Sequence, residues 1–307
     1  MLARFSSLFR RFGWIVLPFS YRHQRTISRP VALSGFGFWT GEDIDVELRP
    51  ARTGSGITFV RCDLSPIRRI PVRVENQIDT PRRTTLTAAG ATVEMVEHVL
   101  AALGGLRIDN CEIWSNAGEM PGGDGSSLAF VEAINTVGIA TQDELQPRLI
   151  IDDDFRVGDE GHFIEASPRD DGRLIVEYDL DYPHAFVGRQ HYEIDVTPET
   201  FQTHLAAART FIMEKEAREL QARGFAQRVT VRDLLVFGDD GLVDNELRFT
   251  DECVRHKVLD VIGDLVLLGC DVQGHIRAFR SGHKLNAGLV KTLLRRYKGK
   301  ETWRFSA

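Results

Sequence analysis

The hydrophobic positions of this 307-residue chain follow two rhythms. Val254, Val258, Val261, Ile262, Leu265 and Leu268 recur at three- and four-residue intervals, the stripe of a helix with one buried face. Thr250, Asp251 and Glu252 lead into it and read as its start, a hydroxyl cap with carboxylates beside the positive helix end. The same period predicts helices over 94–103, 128–137 and 289–297, and a largely helical stretch over 201–224. Strand patterning predicts strands over 25–28, 44–48, 56–60, 111–114, 149–151, 163–166, 174–178 and 276–279. Residues 119–127, rich in glycine and serine, read as a tight turn that caps the helix over 128–137. The polar stretch 141–148, with Pro147, reads as a linker. On each side of it, strands precede a helix that carries a histidine. The chain therefore divides into a tail at 1–24, an N-terminal α+β domain at 25–145, a C-terminal α+β domain at 146–297 and a tail at 298–307. Sequence similarity between the halves is too faint to mark a repeat.

On the main stripe, His256 and Asp260 are four residues apart and stack on one helix face, with Asp264 one turn further on. An imidazole and a carboxylate at that spacing can hold a divalent metal, and zinc suits the mixed donor set. A chance pair on a solvated face has the same spacing. In the other half, Glu97 stands directly before His98 on a predicted helix. Two histidines and one aspartate with an open fourth position make a catalytic zinc arrangement, and Glu97 would serve as base for the water. A hydrogen-bonded histidine at a helix start is the alternative for His98.

Four motifs occur in order: Val96-Glu97-His98-Val99-Leu100-Ala101-Ala102-Leu103, Ala208-Arg209-Thr210-Phe211, His256-Lys257-Val258-Leu259-Asp260-Val261-Ile262-Gly263-Asp264-Leu265, and Ser281-Gly282-His283-Lys284-Leu285-Asn286. Together they resemble the UDP-3-O-acyl-N-acetylglucosamine deacetylases, zinc enzymes of lipid A biosynthesis, and the resemblance spans about residues 25–297. It implies two similar α+β domains, each a sheet layered with helices, with the active site between them. It also implies one catalytic zinc on His98, His256 and Asp260, with Glu97 as base. Thr210 would help to stabilise the oxyanion. His283, oriented by Asp264, would protonate the leaving amine. Lys257 and Arg280 are placed to meet the diphosphate, Tyr182 to stack a base and Asp181 to accept a hydrogen bond. The acyl passage would lie around Phe211, with Ile212, Met213, Leu220 and Phe225 as candidate lining. Arg280 to His283 reads as a strand-to-turn segment that exposes the imidazole at a sheet edge.

The chain departs from the family pattern twice. Trp39 stands in the first glycine-rich turn where a histidine is common, and 225–231 replaces a family turn of the Gly-Ser-x-x-Asn-Ala type. A deacetylase of the same fold acting on another acylated amino sugar, and a non-catalytic metal or sugar-nucleotide binder, are the rival readings.

Composition narrows the class. A hydrophobic content of 43% with 27% charged residues describes a soluble globular protein, and a net charge of −6 argues against general nucleic-acid binding. Cys62, Cys111, Cys253 and Cys270 lack paired spacing and read as reduced, mostly buried thiols of a cytoplasmic protein. Residues 1–41 contain no acid but six arginines among 4–29, and 13–19 is apolar but too short to span a membrane. The tail reads as disordered, or at most as a peripheral contact with an anionic inner membrane surface. A monomer is expected.

Overall fold

The computed structural model describes residues 21–297. Most of the basic tail expected over 1–24, and the tail at 298–307, lie outside the described residues. The fold is α+β, with several sheets and six helices among the described residues.

The N-terminal half builds a five-stranded sheet in the order Val31–Phe36, Asp43–Pro50, Cys111–Ser115, Ile57–Arg61, Arg68–Pro71. Its second strand shows why it forms: Ile44, Val46 and Leu48 are buried while Asp43 and Asp45 face solvent, the alternation of a half-buried strand. A three-stranded sheet of Gln77–Ile78, Thr85–Ala88 and Ala91–Glu94 leads into helix α1 (Glu97–Gly105), and α2 (Leu128–Val137) follows. The C-terminal half centres on Asp271–Phe279, which pairs with Phe163–Ser167 on one side and Leu174–Asp181 on the other. Phe155–Gly158 and Arg189–Asp195 complete that path, and Arg148–Ile150 pairs in parallel with the start of Asp271–Phe279. Helices α3 (Pro198–His204), α4 (Glu214–Ala222), α5 (Glu252–Leu265) and α6 (His283–Tyr297) accompany a small sheet of Phe211–Met213, Leu235–Gly238 and Gly241–Leu242.

Val99 to Leu103 are fully buried, as expected of a helix that is apolar on every side and enclosed by its neighbours. α1 lies against α5 so closely that a Cβ on Gly263 would sit 2.3 Å from the carbonyl oxygen of Glu97. Glycine at 263 is what lets the two backbones approach. The approach sets the first turn of α1 beside the face of α5 that carries His256, Asp260 and Asp264.

Several expectations need correction. The helix expected over 94–103 starts at Glu97, because Glu94 ends a strand and Met95 turns the chain at φ 57°. The expected linker is largely a strand: Ile139–Leu145 pairs antiparallel with His23–Ile27, and Gln142 bonds to Asn110 and to the carbonyl of Ala51. His23 and Gln24, assigned to the tail, belong to that pair. Arg22 ties Asp109 at 2.7 Å to Asp271 at 2.5 Å. The 201–224 stretch is not one helix but α3, a turn, Phe211–Met213 and α4. The strand forms because Leu235–Gly238 supplies a parallel partner from beyond the stretch. No side chain caps α5 among the described residues. Asp251 pairs instead with Arg255, and Glu252 is buried against Arg209. The closing helix expected from 289 starts at His283. No helix among the described residues is long and apolar enough to cross a membrane.

Candidate active site

The Ala208 to Phe211 segment organises the approach to α5. Arg209, itself buried, meets the buried carboxylate of Glu252 at 2.8 Å and so fixes the start of the helix. The Ala208 carbonyl lies 3.0 Å from Nδ1 of His256. A carbonyl only accepts, so Nδ1 carries the hydrogen and Nε2 presents a bare lone pair. Burial lowers the pKa of His256 and takes that of His98 down to about 3, so both imidazoles are neutral.

Nε2 of His256 lies 3.3 Å from Oδ1 of Asp260. That oxygen is buried and has no hydrogen-bond partner among the described residues. Two lone-pair atoms at this distance repel unless a cation lies between them. The ring of His98 stands edge-on to that of His256, centroids 5.1 Å apart, and the three side chains offer ligand atoms within 4.8 Å of one another. The other Asp260 oxygen takes Lys257 Nζ at 2.7 Å. Burial works against the Asp260 carboxylate, but the Lys257 ammonium beside it helps hold its pKa below the usual range. Two further groupings with metal-ligand chemistry share Glu177 on the C-terminal sheet, one with Glu193 and His275, the other with Asp179 and His191. Arg277 already neutralises Glu177 and Asp179 there, at 3.1 and 3.0 Å. The buried trio has a bare carboxylate oxygen and fits a metal ion.

Glu97 and His283 face each other beside the trio, Oε1 to Nε2 at 3.9 Å. Burial pushes the Glu97 carboxyl up to about 7. Burial opposes the His283 imidazolium, as does its place at the N-terminus of α6. The Asp264 and Glu97 carboxylates outweigh this and raise its pKa to about 10. His283 Nδ1 lies 2.8 Å from Asp264 Oδ2, which also accepts from Asn286 Nδ2 at 2.8 Å. The imidazole is therefore charged at neutral pH. Its side chain is only 11% exposed, not open at a sheet edge as expected, because α6 begins at this residue and packs it inward.

A cavity of about 1010 Å³ opens next to these groups, and six of the expected site residues line it: Tyr182, Thr210, Phe211, Lys257, Arg280 and His283. Tyr182 and Phe211 meet edge to face at 5.6 Å. Ile212 and Leu220 lie on the wall as expected, while Met213 and Phe225 do not. Asp181 is not on the wall either; its carboxylate meets Arg189 at 3.4 Å.

A model of the family described as LpxC, UDP-3-O-acyl N-acetylglycosamine deacetylase, matches residues 24–295. The chain belongs to the UDP-3-O-acyl N-acetylglycosamine deacetylase family. The chain is 35% identical over 281 residues to a UDP-3-O-acyl-N-acetylglucosamine deacetylase of Syntrophus aciditrophicus, covering 91% of this chain and 88% of that protein. The protein of that name from an Anaeromyxobacter strain is 37% identical, covering 90% of each chain. That of Brucella melitensis is 39% identical, covering 89% of this chain and 95% of its own.

In this deacetylase-family chain, three site-supporting residues escaped the sequence reading. Glu119, in the stretch taken as a structural turn, accepts the backbone N–H groups of Trp39 and Thr40 at 2.8 and 3.0 Å. Asn286 lies three residues beyond His283, a helical spacing that could have flagged it. Thr84 gave no signal: in the run Thr84-Thr85-Leu86-Thr87 it reads as one more strand threonine.

Proposed function

We propose that this chain hydrolyses the N-acetyl amide of UDP-3-O-acyl-N-acetylglucosamine, releasing acetate and a free 2-amine, the committed step of lipid A biosynthesis. One observation carries the reading: a buried trio of two neutral histidines and a carboxylate with one bare oxygen meets the Glu97–His283 pair beside a largely apolar cavity. His98, His256 and Asp260 would hold zinc, whose preference for nitrogen and oxygen donors with one open position suits this set. When bound, zinc supplies Lewis acidity, polarising a carbonyl and lowering the pKa of water.

The protein's own groups divide the proton work. Glu97 accepts a proton from the attacking water as its oxygen adds to the acetyl carbon. The Thr210 hydroxyl and the His283 imidazolium donate toward the oxyanion. His283 then gives its Nε2 proton to the nitrogen as the C–N bond breaks, while Asp264 keeps the ring oriented. Lys257 and Arg280 offer cations to the diphosphate. Tyr182 offers a ring face to the base, and the wall beyond Phe211 takes the acyl chain.

The test compares acetate release from the 3-O-acylated UDP-sugar with release from UDP-N-acetylglucosamine, using zinc-loaded protein. Turnover of the acylated substrate and little of the other is expected. Equal turnover of both would remove the acyl-chain role of the cavity.

A further inference from the structure

We infer that Thr84 is a positioning residue that fixes both proton-transfer groups at once, an assignment that rests on the roles proposed for Glu97 and His283. Thr84 is 1% exposed and sits at the entry to strand Thr85–Ala88. Its backbone N–H donates to Oε2 of Glu97 at 2.9 Å. That bond occupies one carboxylate oxygen and leaves Oε1 facing His283. Its hydroxyl donates to Oδ1 of Asp264 at 2.5 Å and lies 3.0 Å from Nδ1 of His283.

A hydroxyl has one hydrogen and two lone pairs. With the hydrogen given to Asp264, the Thr84 oxygen can only accept from the imidazole. The His283 Nδ1–H is thus shared between Asp264 Oδ2 and Thr84 Oγ1, which fixes the ring's rotation as well as its distance. Glu97 comes from α1, Asp264 from α5 and His283 from α6, and Thr84 bonds to all three. Asn286 also holds Asp264, but only at the oxygen that faces His283. The bare Asp264 Oδ1 would otherwise lie buried without this donor, and a hydrogen bond to a buried charge is of the stronger kind.

Thr84→Val keeps the shape, the β-branched fit and the backbone N–H, and removes only the hydroxyl. We expect kcat on the acylated UDP-sugar to fall by roughly ten- to a hundredfold, the scale of a hydrogen bond to a charged group, with KM and zinc content little changed. Thr84→Ser should restore most of the rate, since the hydroxyl returns. Should the valine variant fail to fold, Thr84→Ala removes the same hydroxyl without the added methyl and carries the comparison. A folded, zinc-loaded Thr84→Val or Thr84→Ala with the unmodified kcat overturns the assignment, as does a Thr84→Ser no better than valine. Glu97→Gln is measured alongside. If it is inactive while Thr84→Val is unaffected, only the Thr84 assignment falls; if it turns over normally with zinc bound, the reading of the site falls with it.

Discussion

Trp39 and Phe225 meet edge to face, their ring centroids 5.9 Å apart at an interplanar angle of 71°. Trp39 also lies under the Arg83 guanidinium, 4.1 Å from the ring centroid, and its Nε1 donates to Met95 Sδ at 3.3 Å. Trp39 and the 225–231 stretch are the departures from the family pattern that the sequence led one to expect, and they join in one contact. Trp39 and Met95 both line the cavity, so the contact stiffens one stretch of its wall. Trp39→Ala should open that stretch and raise kcat/KM for longer acyl chains over shorter ones by about tenfold, the scale of a methylene in an apolar pocket. A chain-length profile that does not move would contradict this.

The approach of α1 to α5 depends on Gly263. An added methyl would lie 2.3 Å from the Glu97 carbonyl oxygen and 3.3 Å from the Ala101 nitrogen, so the helices must move apart. Gly263→Ala should cost about 1–3 kcal/mol, the usual range for overpacking, and should weaken metal binding because His98 moves with α1. Thermal unfolding and a zinc titration read both effects. Unchanged melting and affinity would show that the close approach does not set the site.

The orphaned oxygen of Asp260 leads to a direct metal prediction. His98→Ala, His256→Ala and Asp260→Ala should each lower metal content, and Asp260→Ala should nearly abolish turnover. Chelation should also lower the melting temperature, since a ligand at a hundredfold excess over Kd stabilises a fold by about 2.7 kcal/mol. Full metal content in all three variants would remove this ligand set.

The sequence made α1 and α5 legible because their apolar residues recur at helical spacing and because both carry chemistry-bearing residues in specific motifs. Spacing set His256 and Asp260 on one helix face and offered His98 only as a candidate third ligand; family resemblance joined the three, since no local pattern brings residue 98 to residue 260. Phe211–Met213 could not be read as a strand, because its partner Leu235–Gly238 lies outside the stretch. The ribbon of His23–Ile27 with Ile139–Leu145 was masked by its polar residues, of which Gln24 and Gln142 both accept from Asn110. The burial of His283 was equally hidden, since the stripe that seats α6 starts at Asn286 and Ala287, behind a Ser-Gly pair that reads as a turn.

The pKa shifts of the proton-transfer pair predict a bell-shaped rate profile. Glu97 acts when ionised, so the rate should rise with pH toward about 7. His283 acts when protonated, so the rate should fall as pH passes about 10. Glu97→Gln should remove the acid limb and His283→Gln the alkaline limb. For stability, the folded pKa of His283 lies above its ordinary value of about 6.5, so its ion pairing contributes fully below that pH and is lost as pH rises through about 10. His283→Gln should flatten that alkaline loss. A wild-type alkaline limb in His283→Gln would assign the acid to another group.

The most direct test is acetate release from UDP-3-O-acyl-N-acetylglucosamine, measured with zinc-loaded protein and with zinc-loaded Glu97→Gln. The unmodified protein should release one acetate per substrate consumed. Glu97→Gln should keep its metal and lose rate by about a hundredfold or more, the scale of a positioned base. No acetate from the zinc-loaded protein, or undiminished release by Glu97→Gln, would contradict a metal-dependent deacetylase that uses Glu97 as its base.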